Sequence, residues 1–122
     1  MRPEKSDYKL VWDMLEAART VVELTGELDL AAYERNKTIR LAVERSIEII
    51  GEAARHRSPE FLHRHNDIPW EAIVRTRHVM AHDYGEIEHD KVWRIATTHI
   101  PALVLRLQPI LDANPPGAPS PQ

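Results

Sequence analysis

The sequence predicts an all-α protein, a four-to-five-helix up-and-down bundle followed by a disordered, proline-rich C-terminal tail. Three observations lead there. Apolar residues recur at steps of three and four through four long segments, no segment alternates at the two-residue period of a strand, and helix-start signatures fall where those segments begin. At 122 residues the chain has room for one core and not for two. It divides into a helical body over residues 1–112 and a tail over 113–122.

In chain order, Ser6 or Asp7 is expected to cap a first helix, whose Leu10, Val11, Met14, Leu15, Ala18, Val21 and Val22 share one face and which Gly26 ends. Leu28 to Asn36 reads as a link with a short helical turn capped by Asp29. A long helix follows from about Asn36 to His56, burying Ile39, Val43, Ile47, Ile50 and Ala54. Its row of Arg40, Glu44, Glu48 and Glu52 is expected to be a solvated face supported by Arg45 and Arg55. Gly51 costs this helix about 1 kcal/mol against alanine, which a close approach by another helix would explain.

Ser58-Pro59-Glu60 starts a short segment through Arg64, and Pro69-Trp70 starts a helix of about sixteen residues that runs to Tyr84 and is closed by Gly85. The last helix runs from about Glu88 to Leu111 on Val92, Trp93, Ala96, Ile100, Leu103, Val104 and Leu107. Pro101 is expected to bend it near Thr97 and Thr98, whose hydroxyls can serve the freed carbonyls. From Ala113 to Gln122 prolines exclude helix and sheet, so that stretch is expected to be disordered.

Composition narrows the functional classes. Hydrophobic residues at 43% and charged residues at 29% suit a globular protein rather than a disordered one. With no cysteine there are no disulfides or thiolate metal sites, and no apolar run suggests a signal peptide or a membrane span, so the expected location is the cytoplasm. A net charge of -3 argues against coating nucleic acid through the overall field and leaves room for a local positive cleft. One Phe, three Trp and three Tyr are too few for a base-stacking platform.

The chemistry concentrates in Arg77-His78-Val79-Met80-Ala81-His82-Asp83-Tyr84. A helix turns about 100° per residue, so Arg77 and Tyr84 return to one face while His78 and His82 share the adjacent stripe. A permanently charged fork, two imidazoles and a phenol thus lie within two turns, which is equipment for binding a phosphate and moving a proton beside it. Val74, Met80 and Ala81 are interleaved and can anchor the helix in a core.

Arg77-x4-His82-x-Tyr84, preceded by Ile68-Pro69-Trp70 and by the run from Ala42 to Ala53 and followed by Val92-Trp93, resembles the HepT-like branch of the HEPN superfamily from about Ser6 to Leu111. The resemblance implies a helical homodimer in which the Arg-x4-His motifs of two subunits face one cleft. It implies a ribonuclease toxin of a two-gene toxin–antitoxin module, partnered by a minimal nucleotidyltransferase antitoxin that attaches AMP to the motif tyrosine, here Tyr84.

On that reading His82 takes the proton from a ribose 2′-hydroxyl, and Arg77 meets the charge that grows on the phosphorane; no metal or cofactor is required. The product is a 2′,3′-cyclic phosphate, and DNA is inert because it lacks the 2′-hydroxyl. His78 either orients His82 or the phosphate, or makes a plain structural hydrogen bond. AMP on Tyr84 would place bulk and negative charge beside Arg77 and compete with RNA.

Two other readings compete. Seven histidines, with His78 and His82 four apart and the pairs Glu60-x-x-His63 and Glu86-x-x-His89, suggest a metal site, although both pairs fall at helix edges or loops rather than mid-helix. A nucleotide- or RNA-binding module or dimeric scaffold without catalysis is the other, because fold does not fix function.

Overall fold

The protein, described by a computed structural model, is resolved in detail over residues 3–82 and 88–113, with side chains described from Asp7 to Met80 and from Glu88 to Ala113. The described residues are mostly helical and form no strand. Four long rods account for most of them. The first is α1 (Pro3–Thr25), the second α3 (Lys37–Arg55) and the third α5 (Trp70–His82), while the fourth joins α6 (His89–Arg94), a π-turn (Ile95–His99) and α7 (Ile100–Ala113). The short α2 (Leu30–Arg35) and α4 (Pro59–Arg64) lie in the connections. Helix α1 packs on both α3 and α7, and α5 packs chiefly on α3, so α5 is an edge helix. No helix among the described residues is long and apolar enough to cross a membrane.

The core is largely the one the apolar spacing marks out, except that Val22 of α1, expected on the buried face, is 38% exposed. Val11, Met14, Ala18 and Val21 of α1 meet Val43, Ile50 and Ala54 of α3 and Ala96, Leu103 and Leu107 of the fourth rod, all buried. Ile39 and Val104 sit at its margin. Connections are short because each turn ends in a side chain that takes over orphan amides. Asp29 accepts from the Ala32 amide at 2.8 Å and Asn36 from the Ile39 amide at 3.0 Å. Ser58 accepts from the Phe61 amide at 3.1 Å, with Pro59 following as expected.

Three further expectations are corrected. Asp7 does not cap the first helix, which begins at Pro3; its buried carboxylate accepts from the Ser58 amide at 3.0 Å and the Ser58 hydroxyl at 2.6 Å. A residue that looked like a local cap therefore pins α1 to the start of α4, a contact between positions 51 apart. The last helix is not one regular rod. Ahead of Pro101, which has no N–H to donate, the hydrogen-bond register slips to a π-turn in which the Ile100 amide reaches the Ile95 carbonyl. Thr97 does use its hydroxyl on a carbonyl, that of Trp93 at 2.7 Å. Pro109, inside α7, frees the carbonyl of Leu105 where that residue is 77% exposed, so water can serve it. The row on α3 is the third correction, taken up with the site below. The tail beyond Ala113 and the expected closure of the motif helix at Tyr84 and Gly85 lie outside the described residues.

Tyr33 is fully buried against Trp93, ring centroids 5.2 Å apart, and its hydroxyl makes no hydrogen bond among the described residues. Burial, with Glu44 adding to it and Arg40 opposing, pushes its pKa up to about 12. In the unfolded chain the phenol ionises near 10, so between the two values the folded state holds the proton and the unfolded state does not. That contribution is complete below about pH 10 and is lost as the pH rises towards about 12. Tyr33→Phe should remove a pH-dependent component on the order of 2–3 kcal/mol over that interval. Urea titrations of parent and variant at pH 8 and pH 11.5 check this: equal alkaline losses in both proteins would show that Tyr33 contributes nothing.

Candidate functional site

The motif helix is fixed at its start by Trp70, which is buried and whose indole N–H donates to the His65 carbonyl at 3.0 Å. Phe61 packs against that indole at 5.9 Å between centroids. Along α5, Ile73 and Val74 are half-buried and Met80 is buried, so the helix shows one apolar stripe to α3.

At the crossing of the two helices, glycine is required. A Cβ added to Gly51 would lie 2.0 Å from the Cβ of Arg77, 2.7 Å from its Cγ and 3.1 Å from the Ile73 carbonyl oxygen. The unexplained glycine of the long helix is thus the seat of the motif arginine. From that seat the Arg77 side chain runs to the bundle edge, retaining 27% exposure, and its Nη2 lies 3.1 Å from Oε2 of Glu52. The other carboxylate oxygen of Glu52 accepts from Arg55 at 3.0 Å and contacts His56 Nε2 at 3.3 Å. The hydrogen bond from Arg55 first, then that from His56 and the charges of Arg55 and Arg77, hold the Glu52 carboxyl below the usual carboxylate range.

The charged row on α3 is therefore not a plainly solvated face. Arg40, Glu44, Glu48 and Glu52 are all half-buried, and the two ends of the row are met from elsewhere in the chain, Glu52 by Arg77 of α5 and Arg40 by His89 of α6. The two supports expected for the row are both present, Arg45 on Glu48 at 3.5 Å and Arg55 on Glu52 at 3.0 Å. Arg40 instead meets His89 at 3.1 Å, and burial raises the Glu44 pKa against the opposing influence of His89 and Arg40. Sequence reasoning missed Glu52 as a partner of the motif. The available signal was its place directly after a helix-interior glycine.

Of the predicted site residues, Arg77 sits at the edge as described and His78 is exposed on the same helix. His82 is the last residue of α5, five positions on from Arg77; its side chain lies outside the described residues, as does Tyr84 altogether. Glu60 and His63 are both exposed on α4, Glu86 lies outside the described residues, and among those described no group of three or more His, Asp or Glu side chains is placed to hold a metal ion. A hollow of about 410 Å³ runs beside the motif helix rather than at the motif, lined by Ile47, Ile50, Ile73, Thr76, Ile100 and Leu103 among others, without Arg77 or His78.

The sequence from residue 14 to residue 110 matches the family model described as "Ribonuclease HepT-like". The chain belongs to the HepT-like ribonuclease family. A relative from Methanocaldococcus jannaschii, "Putative RNase MJ1380", is 36% identical over 100 residues, covering 81% of this chain and 92% of the relative. A protein of Thermococcus cleftensis, "Probable ribonuclease HepT", is 31% identical over 103 residues, covering 84% and 92%. No solved structure gives a significant match.

In this HepT-like chain the Gly51 contact is a direct target. Gly51→Ala gains about 1 kcal/mol of helix propensity, while forcing apart a contact this tight costs about 1–3 kcal/mol, so net destabilisation is expected. Chemical denaturation measures it, and a variant more stable than its parent would contradict the close approach of Arg77.

Proposed function

We propose that this chain is a metal-independent endoribonuclease whose working groups are Arg77 and His82. The observation that carries the reading is Arg77 itself: in a HepT-like chain, its guanidinium stands at the edge of an edge helix, anchored at its base and partly open to solvent. His82 follows five residues later on the same helix, about 140° around, so the pair flanks a phosphate instead of gripping one atom.

In the reaction, neutral His82 accepts the proton of a ribose 2′-hydroxyl as its oxygen bonds to phosphorus. Arg77 compensates the charge on the non-bridging oxygens, and the bond from phosphorus to the 5′-oxygen breaks. The leaving 5′-oxygen gains a proton, which yields a 2′,3′-cyclic phosphate and a 5′-hydroxyl. His78, exposed one residue beyond Arg77, orients the phosphate or His82 on this reading, or makes a structural hydrogen bond.

The wider biological reading rests on the family resemblance. The chain acts as the toxin of a type II toxin–antitoxin module and pairs with a second copy, so that two motifs face one cleft. It is silenced when a minimal nucleotidyltransferase attaches AMP to Tyr84, seven residues along the sequence from Arg77. Negative charge there competes with RNA for the guanidinium without unfolding the bundle.

Incubation of total RNA with the parent, Arg77→Ala and His82→Ala proteins tests the catalytic assignment. Loss of cleavage by about 10²- to 10⁴-fold in both variants, with unchanged far-ultraviolet circular dichroism, is expected. Equal activity in parent and variants would move the chemistry to other residues. For Tyr84, intact mass after treatment with ATP, magnesium and a minimal nucleotidyltransferase should show AMP increments that vanish in Tyr84→Phe; their persistence would place the acceptor elsewhere.

A further inference from the structure

We infer that Glu52 is a positioning residue for Arg77: from the neighbouring helix its carboxylate meets Nη2 of the guanidinium and sets the direction in which the remaining donors face a phosphate. The inference deepens the nuclease reading above and rests on it for its consequence in catalysis, although the positioning itself can be measured without RNA.

Glu52 is built to do this. Its Oε1 is engaged from its own helix by Arg55 at 3.0 Å and by His56 at 3.3 Å, so the carboxylate is tethered, and Oε2 is turned to Arg77 Nη2 at 3.1 Å. Arginine offers five N–H donors in a planar fork, and Glu52 meets that fork through the single Nη2–Oε2 ion pair, which attracts the head group to one side without a hydrogen bond to Nε. The base of the side chain is fixed independently, because Cβ and Cγ of Arg77 occupy the space that Gly51 leaves. A flexible side chain is thereby constrained at both ends, and constraint at both ends aims the head group.

The charge balance is consistent with the role. Arg55 and Arg77 supply two positive charges against the single negative charge of Glu52, so a phosphate still meets net positive charge, more so when His56 is protonated. An ion pair this near to water adds little to stability, so the consequence of the pair is where it leaves the guanidinium. Glu48, one turn earlier on α3, contacts Arg45 instead and provides a control for the loss of one carboxylate from the same row.

The test uses the full chain and a labelled RNA that the parent cleaves, under single-turnover conditions. Glu52→Gln should slow the chemical step by about 10- to 100-fold, as misplacement of a catalytic group does, while RNA affinity changes less than about threefold and the melting temperature stays at the parent value. Glu48→Gln should cleave at the parent rate. Because Glu52 acts through Arg77, adding Glu52→Gln to Arg77→Ala should bring no further loss. A Glu52→Gln protein at full rate overturns the inference, as does a loss of the same factor in the Arg77→Ala background. If the parent itself leaves RNA intact, the nuclease reading fails and the positioning is read from ¹⁵N-arginine NMR. Slow rotation of the Arg77 guanidinium that becomes fast in Glu52→Gln supports the inference, and equal mobility in both proteins overturns it.

Discussion

The missing side chain at Gly51 is the constraint on which the placement of the motif depends. Helix axes normally pack about 8–10 Å apart, at a distance set by the side chains in contact. Here the contact residues are a hydrogen and the first two carbons of an arginine. A bulkier residue at 51 would push α5 outward and carry the Arg77 head group with it. Glycine in mid-helix is disfavoured by its backbone entropy, and the compensation is a seat that no other residue provides.

The rest of the fold restrains α5 at its start. Trp70 is held to the His65 carbonyl and packed on Phe61, and Arg106 of α7 donates to the Asp67 carbonyl in the turn just before α5. Asp7 holds Ser58, and Ser58 caps α4, so the segment leading into α5 is tied back to α1 through a buried carboxylate. These bonds matter more than the helix propensity of α5, which is short by the standard of the other rods and has one substantial neighbour. An edge helix with its first turn clamped can present polar groups along its free side without loss of register.

Most of the fold was legible because its signals are local. Caps at Asp29, Asn36 and Ser58 act within four residues, and the buried stripe of α3 follows from a 3.6-residue period. What was not legible is what depends on residues far apart in sequence. Asp7 carries the composition of a cap and serves a partner 51 positions away. The row from Arg40 to Glu52 has the spacing of a solvated face, and its spacing does not announce that Arg77 and His89, far along the chain, meet its two ends. Pro101 announced a disturbance, yet its place in the spacing does not say that the helix would shift its hydrogen bonds by one residue over Ile95–His99. At the motif, Arg77 and the need for a close neighbour at Gly51 were both readable, while their identity as the two sides of one contact was not.

The overall charge and the site make opposite electrostatic demands, and the geometry reconciles them. A chain of net charge -3 offers a polyanion no general attraction, so binding must come from a small region where cations outnumber carboxylates. Arg55, Arg77 and His56 gather around Glu52 in such a region at the bundle edge. A carboxylate there weakens the raw attraction for phosphate, but it also gives the guanidinium a fixed direction. In the proposed reaction negative charge grows on particular oxygens, and a correctly aimed donor stabilises that growth more than it stabilises the bound ground state. Reduced field strength in exchange for orientation is a loss for binding and a gain for the chemical step, which is the balance a catalytic site requires and a simple nucleic-acid-binding surface does not.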